Sequence, residues 1–161
     1  MWLRSIIAGM AALVWLSLLS PGAWAADAAA PGEDGIVKVR SAYSMGETIE
    51  RLKQDIAAKK IMFFSEIDQA KLAAGAGIKV HPSTLLTFGN PALGPLFLTS
   101  NPLAGLDWPV RLLVFQDEKG AVWAAYTDFG YIARRHHITN LEPFTKASMV
   151  IASIASSVAA K

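Results

Sequence analysis

The segment Thr87–Pro95, TFGNPALGP, has a glycine spacing that could serve phosphate or acyl chemistry. Gly89 and Gly94 have the separation of a P-loop, but Pro95 stands where that motif needs lysine. A hydrolase elbow needs a serine between its glycines, and none is present. The segment therefore predicts a turn that needs particular residue types, in which Gly89 takes a positive φ and Asn90 forms an Asx turn. The alternative is that Asn90 and free amides near Gly94 contact a ligand.

Three histidines, His81, His136 and His137, are the candidates for a metal site. His81 precedes a proline and a predicted strand, and two adjacent histidines on a regular helix cannot both face one metal ion. Neither an HExxH nor an HxxEH spacing occurs. Met45 and Met62, which could join a histidine on haem iron, stand where core packing needs them. We therefore predict no metal site and no cofactor.

The remaining route to enzymatic chemistry pairs Asp107 or Glu66 with His136 as acid and base. Nothing near these residues in the sequence supports the pairing. A hydrolase also needs a nucleophile beside its base. No residue is predicted to be catalytic, and an uncharacterised hydrolase is kept as an alternative.

Arg111 lies one residue into an otherwise apolar predicted strand. Its guanidinium fork suits a carboxylate, so we expect an internal ion pair with Glu66 or Asp68. The alternative is that Arg111 holds an anionic ligand. Tyr126, across a predicted hairpin, is the expected polar neighbour, although such a tyrosine also suits the core.

Composition excludes several classes of function. The 161 residues include no cysteine, which removes disulfides, thiolate nucleophiles, Fe–S clusters and covalently attached c-type haem. Lysine and arginine number 15 against 13 acidic residues, so the chain is nearly neutral and has no basic run. No nucleic-acid partner is therefore expected.

Residues 1–25 have the parts of a secretory signal peptide. Arg4 supplies the positive start, residues 6–19 form the uncharged apolar region, and Ala23–Ala25 is the small-residue cleavage pattern. We expect export, to a periplasm, and no stable membrane span after cleavage; an uncleaved anchor is the alternative. Residues 26–35 are small, flexible and acidic, and are expected to be a flexible lead-in.

The elements that must position these residues follow from hydrophobic periodicity. Residues 35–43 alternate as a strand, and Ser44–Glu47 is a capping box that starts a helix ending near Lys59. Four further strands are predicted, at 61–67, 84–88, 110–115 and 121–127. An Asp-Glu-Lys-Gly turn joins the last two as a hairpin.

The resulting order, β-α-β(4)-α, predicts an α+β domain over residues 36–140 with an antiparallel sheet and its helices on one face. Residues 141–161 are expected to form a C-terminal helix packed on that domain. The strands are apolar on both faces, and two helices cover only one. The second face is expected to be covered by the Pro91–Trp108 segment, a second subunit or a bound ligand.

The stretches TLLTFGNPALGP and LDWPVRLLVFQDEKGAVWAAYTD resemble the bacterial family called domain of unknown function 302. The similarity extends from about Ser44 through His136. It implies a compact domain similar to TATA-binding-protein-like folds, with a curved antiparallel sheet, a homodimer and no assigned activity. The family often has a histidine where this chain has Gln69, after Asp68. A metal or proton-transfer role for that histidine would be absent here.

The leading hypothesis is an exported, non-catalytic module that binds a small ligand or acts as an accessory. The expected pocket residues are Phe64, Phe88, Leu113 and Tyr126, with Asn90 and Arg111 as polar contacts. The alternatives are a homodimer that uses the same surface without a ligand, and the hydrolase.

Overall fold

A computed structural model of the chain describes residues 31–160. The predicted signal peptide and residues 26–30 of the lead-in lie outside the described residues. The strands are β1 Ile36–Arg40, β2 Met62–Asp68, β3 Ser83–Gly89, β4 Val110–Gln116 and β5 Val122–Thr127. The helices are α1 Met45–Ala58, α2 Gln69–Gly75, α3 Gly94–Ser100, α4 Phe129–Arg135 and α5 Glu142–Ser156, and a 3-10 helix spans Pro102–Asp107.

The five strands form one open antiparallel sheet in the order β1-β5-β4-β3-β2. The predicted α+β class and the β-α-β(4)-α order are confirmed, and α2, α3, the 3-10 helix and α4 are short helices that lie between these main elements. The predicted hairpin joins β4 to β5. Its turn is closed by the hydrogen bond from the Asp117 amide to the Ala121 carbonyl, with Gly120 at φ 80°.

Helix α1 begins where the sequence predicts, because Ser44 accepts a hydrogen bond from the Glu47 amide. The second half of the expected capping box is not formed. The Glu47 carboxylate instead accepts from Arg51, one turn along the helix, at 2.8 Å. An i,i+4 pair of this kind adds a small stabilisation to the exposed face of the helix.

One face of the sheet carries the core. Alternation along the strands places their buried side chains on the same side as α1 and α5. The largest fully buried side chains of this core are Phe88, Phe129, Phe144, Leu52, Ile56, Leu86, Leu112, Ile151, Ile154, Val39, Val114 and Val158. The helices thus cover one face, as the element order predicts.

The connection from β3 to β4 also packs on the helix side. Phe97 of α3 lies 4.2 Å, between ring centroids, from Phe144 of α5 and 5.5 Å from Phe129 of α4. The expectation that the Pro91–Trp108 segment covers the second face is therefore wrong for most of its length. Its end reaches that face, because Trp108 packs against Phe64 with ring centroids 6.1 Å apart.

The second face, called the open face below, is left half-exposed. By alternation and register, its three central strands carry Leu85, Thr87, Arg111, Leu113, Phe115, Trp123, Ala125 and Thr127, and its two edge strands add Ile36, Lys38, Arg40, Ser65 and Ile67. The centre of this face is mainly apolar, as predicted, whereas its β1 edge carries two exposed cations. None of the helices between residues 31 and 160 has the length and apolarity needed to cross a membrane.

Candidate functional site

The TFGNPALGP segment forms a turn stabilised by Asn90. The Asn90 side-chain oxygen accepts from the Ala92 amide at 2.8 Å, which confirms the predicted Asx turn. The amides of Leu93 and Gly94 both donate to the Asn90 carbonyl, so the expectation of free amides near Gly94 is wrong. The expected positive φ at Gly89 is not found. The described glycines with a positive φ are Gly35, Gly77 and Gly120.

A cleft of about 570 Å³ opens beside this turn, between α5 and the end of β3. We call it the α5 cleft. Its wall is mainly apolar and includes Phe88, Leu93, Val110, Val150 and Ile151. The volume lies within the range of small-molecule sites.

Four polar side chains border the α5 cleft: Asn90, Lys59, Lys146 and Ser153. The Asn90 amide group lies at the turn, with its oxygen already bonded to the chain. Lys146 pairs with Glu142 at 2.7 Å on the exposed surface of α5, and Lys59 pairs with Asp55 on α1. Because exposed ion pairs of this kind contribute little, either ammonium group can turn to an anion in the cleft at small cost.

A second, shallower concavity of about 310 Å³ lies on the open face. We call it the open-face concavity. Its apolar part includes Leu85, Leu113 and Ala125, and Arg111 and Thr127 border it on one side. Tyr126 borders it as well, but register with Leu112 and Val37 places the Tyr126 side chain on the core face.

The carboxylate partner of Arg111 is Asp107, at 2.9 Å, and not Glu66 or Asp68 as expected from the sequence. Glu66 pairs instead with Lys53 of α1 at 3.0 Å. Asp68 is occupied as the cap of α2, where it accepts from the Lys71 amide. The expected internal ion pair therefore exists, with a different acid.

Asp107 is almost completely buried and holds three donors. Its Oδ2 lies 2.7 Å from His136 Nε2, and Arg111 and Arg135 also contact the carboxylate. The carbonyl of His136 in turn accepts from the Asn101 side chain at 2.9 Å. Asp107 therefore links the 3-10 helix to β4 and to the end of α4.

The Asp107–His136 pair that the sequence suggests as an acid and base is thus formed. Its geometry does not make it a hydrolytic dyad. In the described part of the chain, no serine, threonine or tyrosine hydroxyl is hydrogen-bonded to His136. The pair joins the 3-10 helix to the end of α4.

The six predicted ligand residues do not form one pocket. Phe88 and Asn90 border the α5 cleft, whereas Arg111, Leu113 and Tyr126 border the open-face concavity on the other side of the sheet. Phe64 borders neither. It is the extra residue at a β-bulge, where the register shifts between its two neighbours in β2. The expectation of a single site fails because adjacent strand residues point to opposite faces.

The residues that α5 contributes to the cleft were not identified from the sequence. Met149 and Val150 were treated as part of a helix packed on the sheet, yet both are well exposed at the α5 cleft. Apolar residues on two sides of α5 were the available signal. No comparable signal links Asp107 to Arg111 and Arg135.

Two further observations concern charge. Burial, reinforced by the nearby Asp128 carboxylate, raises the pKa of the Tyr126 phenol above its usual value. Between residues 31 and 160, no group of three histidine, aspartate or glutamate side chains is placed to hold a metal ion.

Comparison with known proteins connects this fold to others. A crystal structure of an uncharacterized conserved DUF302 protein from Bacillus stearothermophilus superposes with a TM-score of 0.71 over 77% of this chain and 98% of that one. The two sequences are 20% identical, so the likeness concerns the fold.

Curated relatives match over a shorter part of their length. The Fluoride-specific ion channel FluC 1 of Brucella suis and that of Brucella abortus are each 34% identical to this chain over 106 residues. The match covers 66% of this chain, but 42% and 39% of those two proteins. The chain therefore spans less than half the length of the curated relatives it matches.

The family model described as domain of unknown function DUF302 matches residues 37–159, from β1 to beyond α5. This range includes the sheet, both cleft walls and the Asp107 cluster. The chain belongs to the DUF302 family.

Proposed function

We propose that this domain binds a small, mainly apolar molecule with an anionic or hydrogen-bonding end in the α5 cleft. The observation that carries the proposal is a cleft of about 570 Å³ with apolar walls and few polar groups. Such a combination is typical of small-molecule sites, where apolar contact supplies affinity and a few polar groups set orientation.

The polar end of the ligand is assigned by the residues at the border of the cleft. The Asn90 oxygen is used by the Asx turn, which leaves its NH₂ group as a donor. Lys59 and Lys146 supply positive charge from two different helices. A carboxylate or sulfonate at this end would therefore meet hydrogen-bond donors. The two nearby acids, Asp55 and Glu142, are each already paired with a lysine.

The first experiment is native mass spectrometry of the gently purified protein, followed by calorimetric titration with decanoate and with decanol. We expect decanoate to bind more tightly than decanol because of the two lysines. Val150→Trp fills the cleft from α5 and should weaken decanoate binding at least about tenfold, a loss of about 1.4 kcal/mol. Ser156→Trp is the matched control, because Ser156 is exposed on the same helix outside the cleft.

The proposal fails if Val150→Trp and Ser156→Trp bind decanoate equally well while both remain folded by circular dichroism. It also fails if neither decanoate nor a co-purifying molecule binds the unmodified protein. Lys146→Gln separates the two parts of the argument, since it should reduce the preference for decanoate over decanol and leave decanol binding unchanged.

A homodimer through the open face is the second candidate, supported by the half-exposed apolar side chains of that face, such as Leu113, Phe115 and Trp123. Native mass spectrometry measures it directly. Trp123→Glu should convert a dimer of this kind to a monomer. A monomer in the unmodified protein excludes it.

The curated relatives support the accessory form of the proposal, in which a domain of this kind serves a membrane transport protein. They are named as fluoride-specific ion channels, and more than half of each lies outside the match. We expect the apolar α5 cleft not to bind fluoride itself. A ¹⁹F NMR titration with fluoride tests this, and saturable binding would contradict it.

Export is proposed from residues 1–25 alone. The mass of the protein recovered after expression in a bacterium with a periplasm distinguishes cleavage after Ala25 from a retained segment. An unprocessed mass in the cytoplasmic fraction would contradict export.

A further inference from the structure

The Asp107 cluster carries more positive than negative charge. One carboxylate, 3% exposed, is shared by the guanidinium groups of Arg111 and Arg135 and by His136. Even with a neutral imidazole, two positive charges are balanced by one negative charge. The arrangement therefore favours a further anion on its solvent side.

Both guanidinium groups are about half-exposed, and Arg111 borders the open-face concavity. The Arg111 side chain is 49% exposed and that of Arg135 is 52% exposed. Each contacts Asp107 through one terminal nitrogen, Nη2 of Arg111 and Nη1 of Arg135. Since a guanidinium carries five N–H donors, most of the Arg111 donors are left for another acceptor.

The position of Arg111 in the sheet adds hydroxyl groups to this charge. Register places Thr87 of β3 opposite Arg111, and places Thr127 of β5 on its other side. The Thr87 hydroxyl is also hydrogen-bonded to that of Ser65, at 2.7 Å, which continues the polar row across the sheet. Arg111 thus stands at the centre of a row of small hydroxyl side chains on the open face.

The neighbouring row of the open face is apolar from β3 to β5, and its β1 end is Lys38. Leu85 of β3 is paired with Leu113 of β4, which is paired with Ala125 of β5. Together with Ile36 they form the apolar part of the open-face concavity, and no acidic residue borders it. An anion held by Arg111 would therefore have an apolar surface next to it.

From this juxtaposition we propose that the open-face concavity binds a compact organic carboxylate with an aryl or short alkyl body. The Arg111 fork holds the carboxylate and Arg135 adds positive charge. Asp107 is a positioning residue, because it holds both guanidinium groups without touching the ligand. The apolar body lies on Leu85, Leu113 and Ala125. This site is separate from the α5 cleft, which lies on the other side of the sheet.

The chemistry distinguishes this ligand from inorganic phosphate. A guanidinium fork accepts either anion. The apolar row beside Arg111 contributes only for a ligand that has an apolar body, at roughly 25 cal/mol per Å² of surface removed from water. The concavity, about 310 Å³, suits a single ring or a short chain.

The experiment is a ¹⁵N–¹H NMR titration of the full chain with 3-phenylpropionate, with 3-phenylpropanol and with inorganic phosphate. We expect saturable shifts at Leu85, Arg111, Leu113 and Ala125 with 3-phenylpropionate, and weaker binding of the other two. Added salt should weaken the binding of the acid, since the contact is charged and half-exposed.

Arg111→Gln should reduce affinity for 3-phenylpropionate about tenfold or more, and Arg111→Lys should lose less because it keeps the charge without the fork. Arg134→Gln is the matched control, since Arg134 is exposed on α4 and makes no ion pair with Asp107. The amide spectrum of each variant checks that it is folded.

Three results would overturn the proposal. The first is equal affinity of Arg111→Gln and the unmodified protein. The second is 3-phenylpropanol binding as tightly as the acid. The third is shifts confined to α5, or no shifts with 3-phenylpropionate up to about 10 mM. A dissociation constant above about 10 mM corresponds to a binding free energy weaker than about 3 kcal/mol. Shifts confined to α5 would support the α5 cleft and count against the Arg111 site alone.

Discussion

The indole of Trp108 occupies the space in which a Cβ atom on Gly94 would stand. The same ring lies beside Gly89, where a Cβ would be 3.2 Å from the indole Nε1 and 3.2 Å from a ring carbon of Phe64. The two glycines of TFGNPALGP thus accommodate one tryptophan from the far end of the connection between β3 and β4. Close packing explains their spacing, with no phosphate required.

Gly94→Ala should destabilise the protein, because the added methyl group must displace a partly buried indole. We expect a loss of about 1–3 kcal/mol in the free energy of unfolding, measured by urea denaturation. Gly46→Ala is the control, since a Cβ there has no neighbour within 4 Å. It should leave stability unchanged or raise it by up to about 1 kcal/mol. Equal stability of the two variants would contradict the packing argument.

Asp107→Asn tests the cluster that joins the 3-10 helix to α4. The substitution keeps the shape but removes the charge that three donors share, so we expect a loss of about 2–4 kcal/mol in unfolding free energy. Glu142→Gln removes one partner of an exposed pair and should cost less than about 1 kcal/mol. Similar costs for the two variants would show that burial adds nothing to the Asp107 interactions.

The raised pKa of Tyr126 predicts that the protein loses stability at high pH. The folded pKa of this phenol is raised, so the folded state retains the phenolic proton after the unfolded state has lost it. The contribution is complete below the unfolded pKa of about 10 and is lost as pH rises through the folded pKa. Tyr126→Phe should therefore lose less stability than the unmodified protein between about pH 9 and pH 11. Urea midpoints across this range provide the measurement, and parallel curves would contradict the prediction.

The lowered pKa of Asp117 predicts that the protein loses stability as the pH falls into the acid range. A hydrogen bond from the Trp123 indole, at 2.9 Å, and others from the hairpin amides lower the pKa of this carboxyl. Its contribution is present above the unfolded pKa of about 3.9 and is lost as pH falls through the folded value.

Asp117→Asn should accordingly flatten the fall in thermal midpoint between about pH 5 and pH 2. Glu118→Gln is the control from the same turn, because Asp117 is the residue whose carboxylate accepts from the Lys119 and Ala121 amides. The same acid profile in both variants would show that the charge of Asp117 does not contribute.

Elements whose cause lies within a few residues were predictable from the sequence. The start of α1 depends on Ser44 and its near neighbours, and the β4–β5 hairpin depends on a turn that Asp117 and Gly120 close. Asp68 caps α2 for the same local reason. In each case the decisive hydrogen bond joins residues no more than four positions apart.

The site depended on partners distant in the chain. Asp107 meets His136, 29 positions away, and the choice of Asp107 over Glu66 as the partner of Arg111 follows from where the 3-10 helix ends. Charge type predicted an ion pair at Arg111, but the identity of the acid needed the fold. Likewise, the division of Phe88 and Leu113 between two faces follows from the strand register. The local sequence pattern alone does not reveal that register, because both strands are apolar at neighbouring positions.

The bulge at Phe64 also has a consequence for the exposed edge of the sheet. Strand β2 is an edge strand with an aromatic start, and nearly all of its residues are exposed. A straight edge of this kind would be a template for a strand from another molecule. The register shift between Phe63 and Ser65 interrupts the regular row of outward amides and carbonyls. A strand from another molecule would meet that interruption when pairing with β2, so the bulge disfavours edge-to-edge association at this strand.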